Sequence, residues 1–205
     1  MKFLKHLVAA AVVAASCGAQ AQVSGSLLAA GSGTYLSLSS AGLGGGVATL
    51  SGGAVFGTDM PFADMPFSMT SGSFLAAGVI AGPLATLSFA GTGVEYVSFL
   101  WGSPDAYNLL TVTTSAGTQT FTTTSLGFGV SNGDQSFSQY VQFAALAGSK
   151  ITGISFTNSP DRDAFEAANF SVTAPVSAVP EPQTYALLGA GVFAVVFLSR
   201  RRRAD

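Results

Sequence analysis

The chain has 205 residues, 48% hydrophobic and 9% charged, and its eight Lys and Arg against ten Asp and Glu leave a net charge of −2. One cysteine and one histidine exclude a disulfide framework and an ordinary zinc cluster. The absence of a basic excess argues against nucleic acid, whose phosphates are held by Lys and Arg.

The first 21 residues predict a signal peptide. Lys2 and Lys5 form a positive start, Leu7 to Ala15 an apolar core, and Ala19-Gln20-Ala21 an A-x-A cleavage site. Signal peptidase is thus an expected partner, and the mature chain is expected to begin at Gln22. Cys17 keeps a lipoprotein signal open as a second reading, although Ala14 stands where a leucine-like residue usually precedes such a cysteine. Cys17 and His6 both fall inside this segment, so Ser-His-Asp and Cys-His catalysis are not expected of the mature protein.

Residues 22–178 are enough for one domain with its own core. Their cations are Lys150 and Arg162, against Asp59, Asp64, Glu95, Asp105, Asp134, Asp161, Asp163 and Glu166, a net charge of −6. No nucleic-acid partner is expected of so acidic a domain.

From Val23 to Gly53 the sequence is rich in Gly, Ser and Ala. Leu36 and Leu38 alternate with polar residues and suggest one short strand, while the glycine-dense segment 41–53 is expected to be loop. It lacks the lysine of a phosphate-binding loop. The tandem Asp59-Met60-Pro61-Phe62 and Asp64-Met65-Pro66-Phe67 predicts an extended connection with Phe62 and Phe67 tucked against the domain.

Beyond it, short runs rich in Val, Thr, Phe and Tyr predict strands at 74–80, 85–89, 94–101, 109–114, 118–124, 137–144, 151–157 and 169–173. Ser115-Ala116-Gly117 reads as a hairpin loop. A helical turn is expected near 163–168. This pattern predicts an all-β, antiparallel β-sandwich of jelly-roll type.

Two stretches stand out. WGSPDAYN spans Trp101 to Asn108, with Pro104 and Asp105 suited to a turn and Asn108 able to bridge it. FTNSPDRDAFEAANFSV spans Phe156 to Val172. Asp161, Asp163 and Glu166 offer oxygen ligands at a spacing that could hold Ca²⁺, although no EF-hand loop is present and a solvated acidic loop competes. No other cofactor is expected. Trp101 and Tyr107 could stack on a sugar ring, against a core role for the tryptophan. A glycoside-acting enzyme would need two carboxylates flanking a cleft, and the mature glutamates before the tail are Glu95 and Glu166. No enzyme is expected.

The tail, VPEPQTYALLGAGVFAVVFLSRRRRAD from Val179, sets Pro180, Glu181 and Pro182 before an apolar run and then Arg200, Arg201, Arg202 and Arg203. Prolines end regular structure, the run at about 184–199 is expected to enter the membrane as a transmembrane helix, and the arginines are expected to stay cytoplasmic. This order resembles the PEP-CTERM sorting signal of exosortase-dependent surface proteins of Gram-negative bacteria. The resemblance implies a signal at 179–205, cutting near the triplet by an exosortase-type membrane protease, a transient membrane anchor, and delivery to the cell surface. WGSPDAYN and AFEAANF also resemble a W-G-S-x-D-x-Y-N turn and an A-F-E-x-x-N-F ending in the ectodomains of some of these proteins, which implies location and fold. The second block is similar to the closing strand of sandwich carbohydrate-binding modules. The expected role is structural or adhesive, in the envelope or extracellular matrix. The alternative is a carbohydrate-binding module with a surface polysaccharide as partner.

Overall fold

A computed structural model describes residues 23–173 except Gly33, Thr70, Ser71 and Ala147, all within one compact unit. The expected signal-peptide site at Ala19, Ala21 and Gln22, the triplet Pro180, Glu181 and Pro182, the apolar run and Arg200 to Arg203 lie outside the described residues. Among the described residues no helix is long and apolar enough to cross a membrane.

The strands are β1 (Val23–Leu28), β2 (Leu38–Ser39), β3 (Gly42–Leu43), β4 (Ala48–Gly52), β5 (Ala54–Phe56), β6 (Phe74–Ala77), β7 (Leu84–Phe89), β8 (Tyr96–Gly102), β9 (Asn108–Thr114), β10 (Gly117–Phe121), β11 (Ser138–Ala145), β12 (Ile151–Asn158) and β13 (Phe165–Ser171), with one short helix α1 (Thr123–Leu126). They form two antiparallel sheets, ordered β1-β11-β8-β13-β6-β5 and β10-β9-β12-β7-β4-β3-β2.

The pairing has a simple logic. β9 pairs β10, β8 pairs β11, β7 pairs β12 and β6 pairs β13. The eight strands therefore make one long antiparallel ribbon, wound so that successive pairs fall in opposite sheets. The contacts β8·β13 and β9·β12 then join pairs side by side. This is a jelly roll. β1 and β5 extend one sheet, and β2, β3 and β4 extend the other.

Alternation places one aromatic set between the sheets. Phe99 of β8 lies within 6.2 Å, centroid to centroid, of Trp101, Phe143, Phe156 and Phe170. Trp101 stacks on Phe165 at 4.2 Å. All six rings are fully buried. Each such pair adds roughly 0.5–1.5 kcal/mol beyond area burial.

The outer faces differ. The sheet built on β9 and β12 alternates buried and half-exposed positions and presents hydroxyls outward. One register row crosses it as Ser51, Thr86, Ser155, Thr111 and Thr120. Thr86 and Ser155 hydrogen bond at 3.0 Å, as do Thr111 and Thr120 at 3.1 Å. The sheet built on β8 has β6 and β8 buried along their whole length. The connection 57–73 accounts for part of this, because Met60, Phe62, Met65 and Met69 pack on a second cluster that includes Phe74, Ala76 and Ala168.

Several expectations need correction. The segment 41–53, expected as loop, holds β3 and β4, since β4 pairs with β7 over five residues and β3 with β4. The Gly and Ser stretch before it holds β1, and Gly25 is needed there because a Cβ would meet Phe121 and Phe143 at 2.8 Å. β6 ends at Ala77, where Gly78 and Gly82 bridge a tight turn. β10 ends at Phe121 and Thr122 caps α1 in a capping box with Ser125. The turn expected at 163–168 is instead the start of β13, held extended between β6 and β8. Phe62 does tuck in, packing edge-on to Phe56, but Phe67 is 54% exposed.

Candidate functional site

The two distinctive motifs and the proline tandem meet at one end of the sandwich. WGSPDAYN ends β8, forms the β8–β9 loop and begins β9. The SPDRDAFE part of the second motif forms the β12–β13 loop and opens β13. Between them lies a cleft of about 530 Å³, whose lining includes Asp64, Asp105, Tyr107, Gln135, Asp163 and Glu166.

Most of WGSPDAYN has a structural task. Gly102 passes beneath the tandem, where a Cβ would meet Pro66 at 2.8 Å and Glu166 at 3.1 Å. The Ser103 hydroxyl donates to Glu166 Oε2 at 3.2 Å. Asn108 is fully buried, and its Oδ1 accepts from Trp101 Nε1 at 3.2 Å and from the Asp105 amide at 2.7 Å. Its Nδ2 donates to Asn158 Oδ1 at 2.8 Å. Asn158 in turn donates to the carbonyls of Ala77 and Arg162. This chain of amides fixes the floor of the cleft to the core. Buried amides at such positions need partners on both ends, and here both ends have them.

The second motif answers it. Phe165 lies on Trp101 and Phe170 on Phe99. Asn169 takes a positive φ of 53° within an irregular stretch of the β13–β8 ladder, a conformation Asn tolerates, and donates to Tyr140 Oη at 2.9 Å. Asn169, Phe170 and Ser171 thus close β13. Tyr140 also stacks on Tyr35, and burial and that neighbour push its phenol up to about 12.

Glu166 joins the elements. It is 3% exposed on β13, and its Oε1 accepts from the Asp64 amide at 3.3 Å while Oε2 holds Ser103. Burial raises its carboxyl well above the ordinary range, opposed by those two donors and reinforced by Asp64 and Asp105. Asp64 is raised too, by burial and by Asp59. Its carboxylate accepts from Gln135 Nε2. The Tyr107 hydroxyl donates to the Asp163 carbonyl at 2.9 Å, with the Arg162 guanidinium 5.4 Å from its ring centre. Burial is the first cause that raises the Tyr107 phenol, followed by Asp105.

Trp101 is fully buried beneath Phe165 and Phe128, so it cannot offer a face to a sugar, whereas Tyr107 lines the cleft. Of Asp161, Asp163 and Glu166, the last two both line the cleft and Asp161 does not. Asp161 is exposed, Asp163 Oδ1 accepts from the Ile80 amide, and Glu166 is held on the strand. Among the described residues no group of three or more His, Cys, Asp or Glu is placed to hold a metal ion. Glu95 and Glu166 are also apart. Glu95 precedes β8, while Glu166 pairs with Gly102 at its far end, so roughly 23 Å of strand separates them. Glu95 instead pairs with Lys150, which lowers its carboxyl through a hydrogen bond and charge.

The sequence pattern did not pick out Asp64, Asp105, Asn132 and Gln135 as a group. They come from different loops, and only the ribbon's winding brings them to one end. The signal available was the acid distribution. Seven of the eight acids in residues 22–178 lie in or beside the loops of this end, with Arg162 as their one cation.

Residues 178–203 match the PEP-CTERM protein-sorting motif. The chain thus carries the signal of an exported protein addressed to an exosortase, a membrane protease, and through it to the cell surface. No match was found among curated proteins, and none among solved structures.

Proposed function

We propose that the jelly roll is a structural or adhesive component of the cell surface or extracellular matrix, exported by an N-terminal signal and released from a transient C-terminal anchor. The sorting motif at 178–203 carries this reading, since it addresses the ectodomain to the surface. The fold supports it. Ser103, Asn108, Phe165 and Glu166 of the two distinctive blocks hold loops to the core, and both Glu166 oxygens accept hydrogen bonds from the protein itself. The proposed role is non-enzymatic. In this reading the arginine cluster keeps the tail cytoplasmic until cleavage.

Intact mass of the protein recovered from the cell surface tests it. A chain beginning at Gln22 and ending near Pro182 is expected. Replacing Pro180, Glu181 and Pro182 by alanine should leave the full tail attached and the protein in the inner membrane. Unchanged processing of that variant would overturn the sorting step.

A second reading, a carbohydrate-binding module, is favoured by one observation: the cleft unites Tyr107 with amides and carboxylates facing solvent. Its ligand would be a surface polysaccharide.

A further inference from the structure

We infer that the cleft between the β8–β9 and β12–β13 loops takes one end of an uncharged or amine-bearing glycan and rejects anionic ones. This rests on the carbohydrate-binding reading and adds the class of ligand.

Size comes first. A volume of about 530 Å³ falls within the roughly 300–1,000 Å³ of small-ligand sites. The lining then matches a polyol. Asp64 and Asp105 present carboxylate oxygens that accept from ligand hydroxyls. Asn132 and Gln135 bring amides that can donate and accept, with one Gln135 N–H already given to Asp64. Phe62, Ile80 and the Tyr107 ring give apolar surface for the C–H side of a pyranose. The groups beneath are already fixed, since Asn108 and Asn158 tie the floor to the core and Glu166 ties Asp64 to β13. A pre-formed site loses little freedom when its ligand arrives.

Charge supplies the selectivity. The loops at this end carry Asp59, Asp64, Asp105, Asp134, Asp161, Asp163 and Glu166 against Arg162 alone. Arg162 is engaged over Tyr107 and does not line the cleft. At the other end Lys150 is paired with Glu95. The net negative charge is thus gathered around the opening, where it repels carboxylate or sulfate sugars and attracts an ammonium.

The test is calorimetry on protein recovered from the cell surface, with β-1,4-linked tetrasaccharides of glucose, glucosamine and glucuronic acid as probes. Glucose and glucosamine oligomers are expected to bind, glucosamine tighter and with salt-sensitive affinity, and glucuronate not to bind. Gln135→Ala and Asn132→Ala change exposed residues and should keep the melting temperature while weakening binding about tenfold, the loss of one hydrogen bond to the ligand. Lys150→Ala, at the far end, should bind as the parent does. Equal binding of glucuronate, or undiminished binding by both amide variants, would overturn the assigned class and site while leaving carbohydrate binding intact. No binding of any probe would remove the carbohydrate reading itself.

Discussion

Asn108→Ala tests whether the buried amide chain holds the cleft to the core. The substitution removes the acceptor for Trp101 Nε1 and the Asp105 amide, and the donor to Asn158 Oδ1. Trp101 is fully buried and Asn158 5% exposed, so water reaches neither easily. Each buried group left without a partner costs roughly 1–3 kcal/mol. The Asp105 amide is half-buried and can be rehydrated, so two groups dominate. The expected loss is about 3–5 kcal/mol, a large share of the roughly 5–15 kcal/mol that stabilises a domain. At roughly 2–4 °C per kcal/mol for a domain near this size, the melting temperature should fall by about 6–20 °C. Trp101, the only tryptophan, reports it directly. Its fluorescence should follow unfolding in thermal melts, and in the variant the folded-state emission should shift to the red. Asn132→Ala, exposed at the cleft rim, is the matched control and should stay within about 0.5 kcal/mol of the parent. A fall of under about 2 °C, less than 1 kcal/mol on the same scale, would refute the claim that the amide chain anchors the loop.

Glu166 gives stability a pH dependence. Its folded carboxyl is raised above the ordinary 4.5, so the folded state holds the proton more tightly than the unfolded one. Its contribution is therefore fully present below pH 4.5 and is lost as pH rises through the raised value; Asp64 acts in the same direction. Glu166→Gln should flatten that decline in melts across the range from acid to neutral pH, and an unaltered slope would remove Glu166 as its source. Gly102→Ala drives a Cβ into Pro66 and Glu166, which should cost roughly 1–3 kcal/mol and lift the connection 57–73, seen as faster limited proteolysis there. Phe99→Ala empties the centre of the aromatic set and should cost roughly 3–5 kcal/mol in urea unfolding. Lys150→Ala breaks a solvent-screened pair whose Glu95 is fully exposed, and its melt should be indistinguishable from the parent's.

The class of fold is legible in the chain's pattern, because alternation at Phe137–Phe143 and Ile154–Phe156 can only bury one face of a strand. The address is legible too, since three parts in order at 178–203 need no tertiary context to be read. The remaining features depend on contacts between distant segments. β4 and β1 have weak local preference for strand, and β7 and β11 recruit them by offering free edges on which small side chains fit. The segment 163–168 has local features of a turn, but β6 and β8 flank it with unpaired backbone groups and draw it into β13. Trp101 could have been surface or core by pattern alone, and the packing of strands β8 and β13 put it under Phe165. The cleft depended most on tertiary structure. Asp64, Asp105, Gln135 and Glu166 are up to 102 residues apart, and no local signal links them. They meet because the ribbon's winding returns four loops to one end of the sandwich, where backbone hydrogen bonding, and not side-chain preference, sets the neighbours.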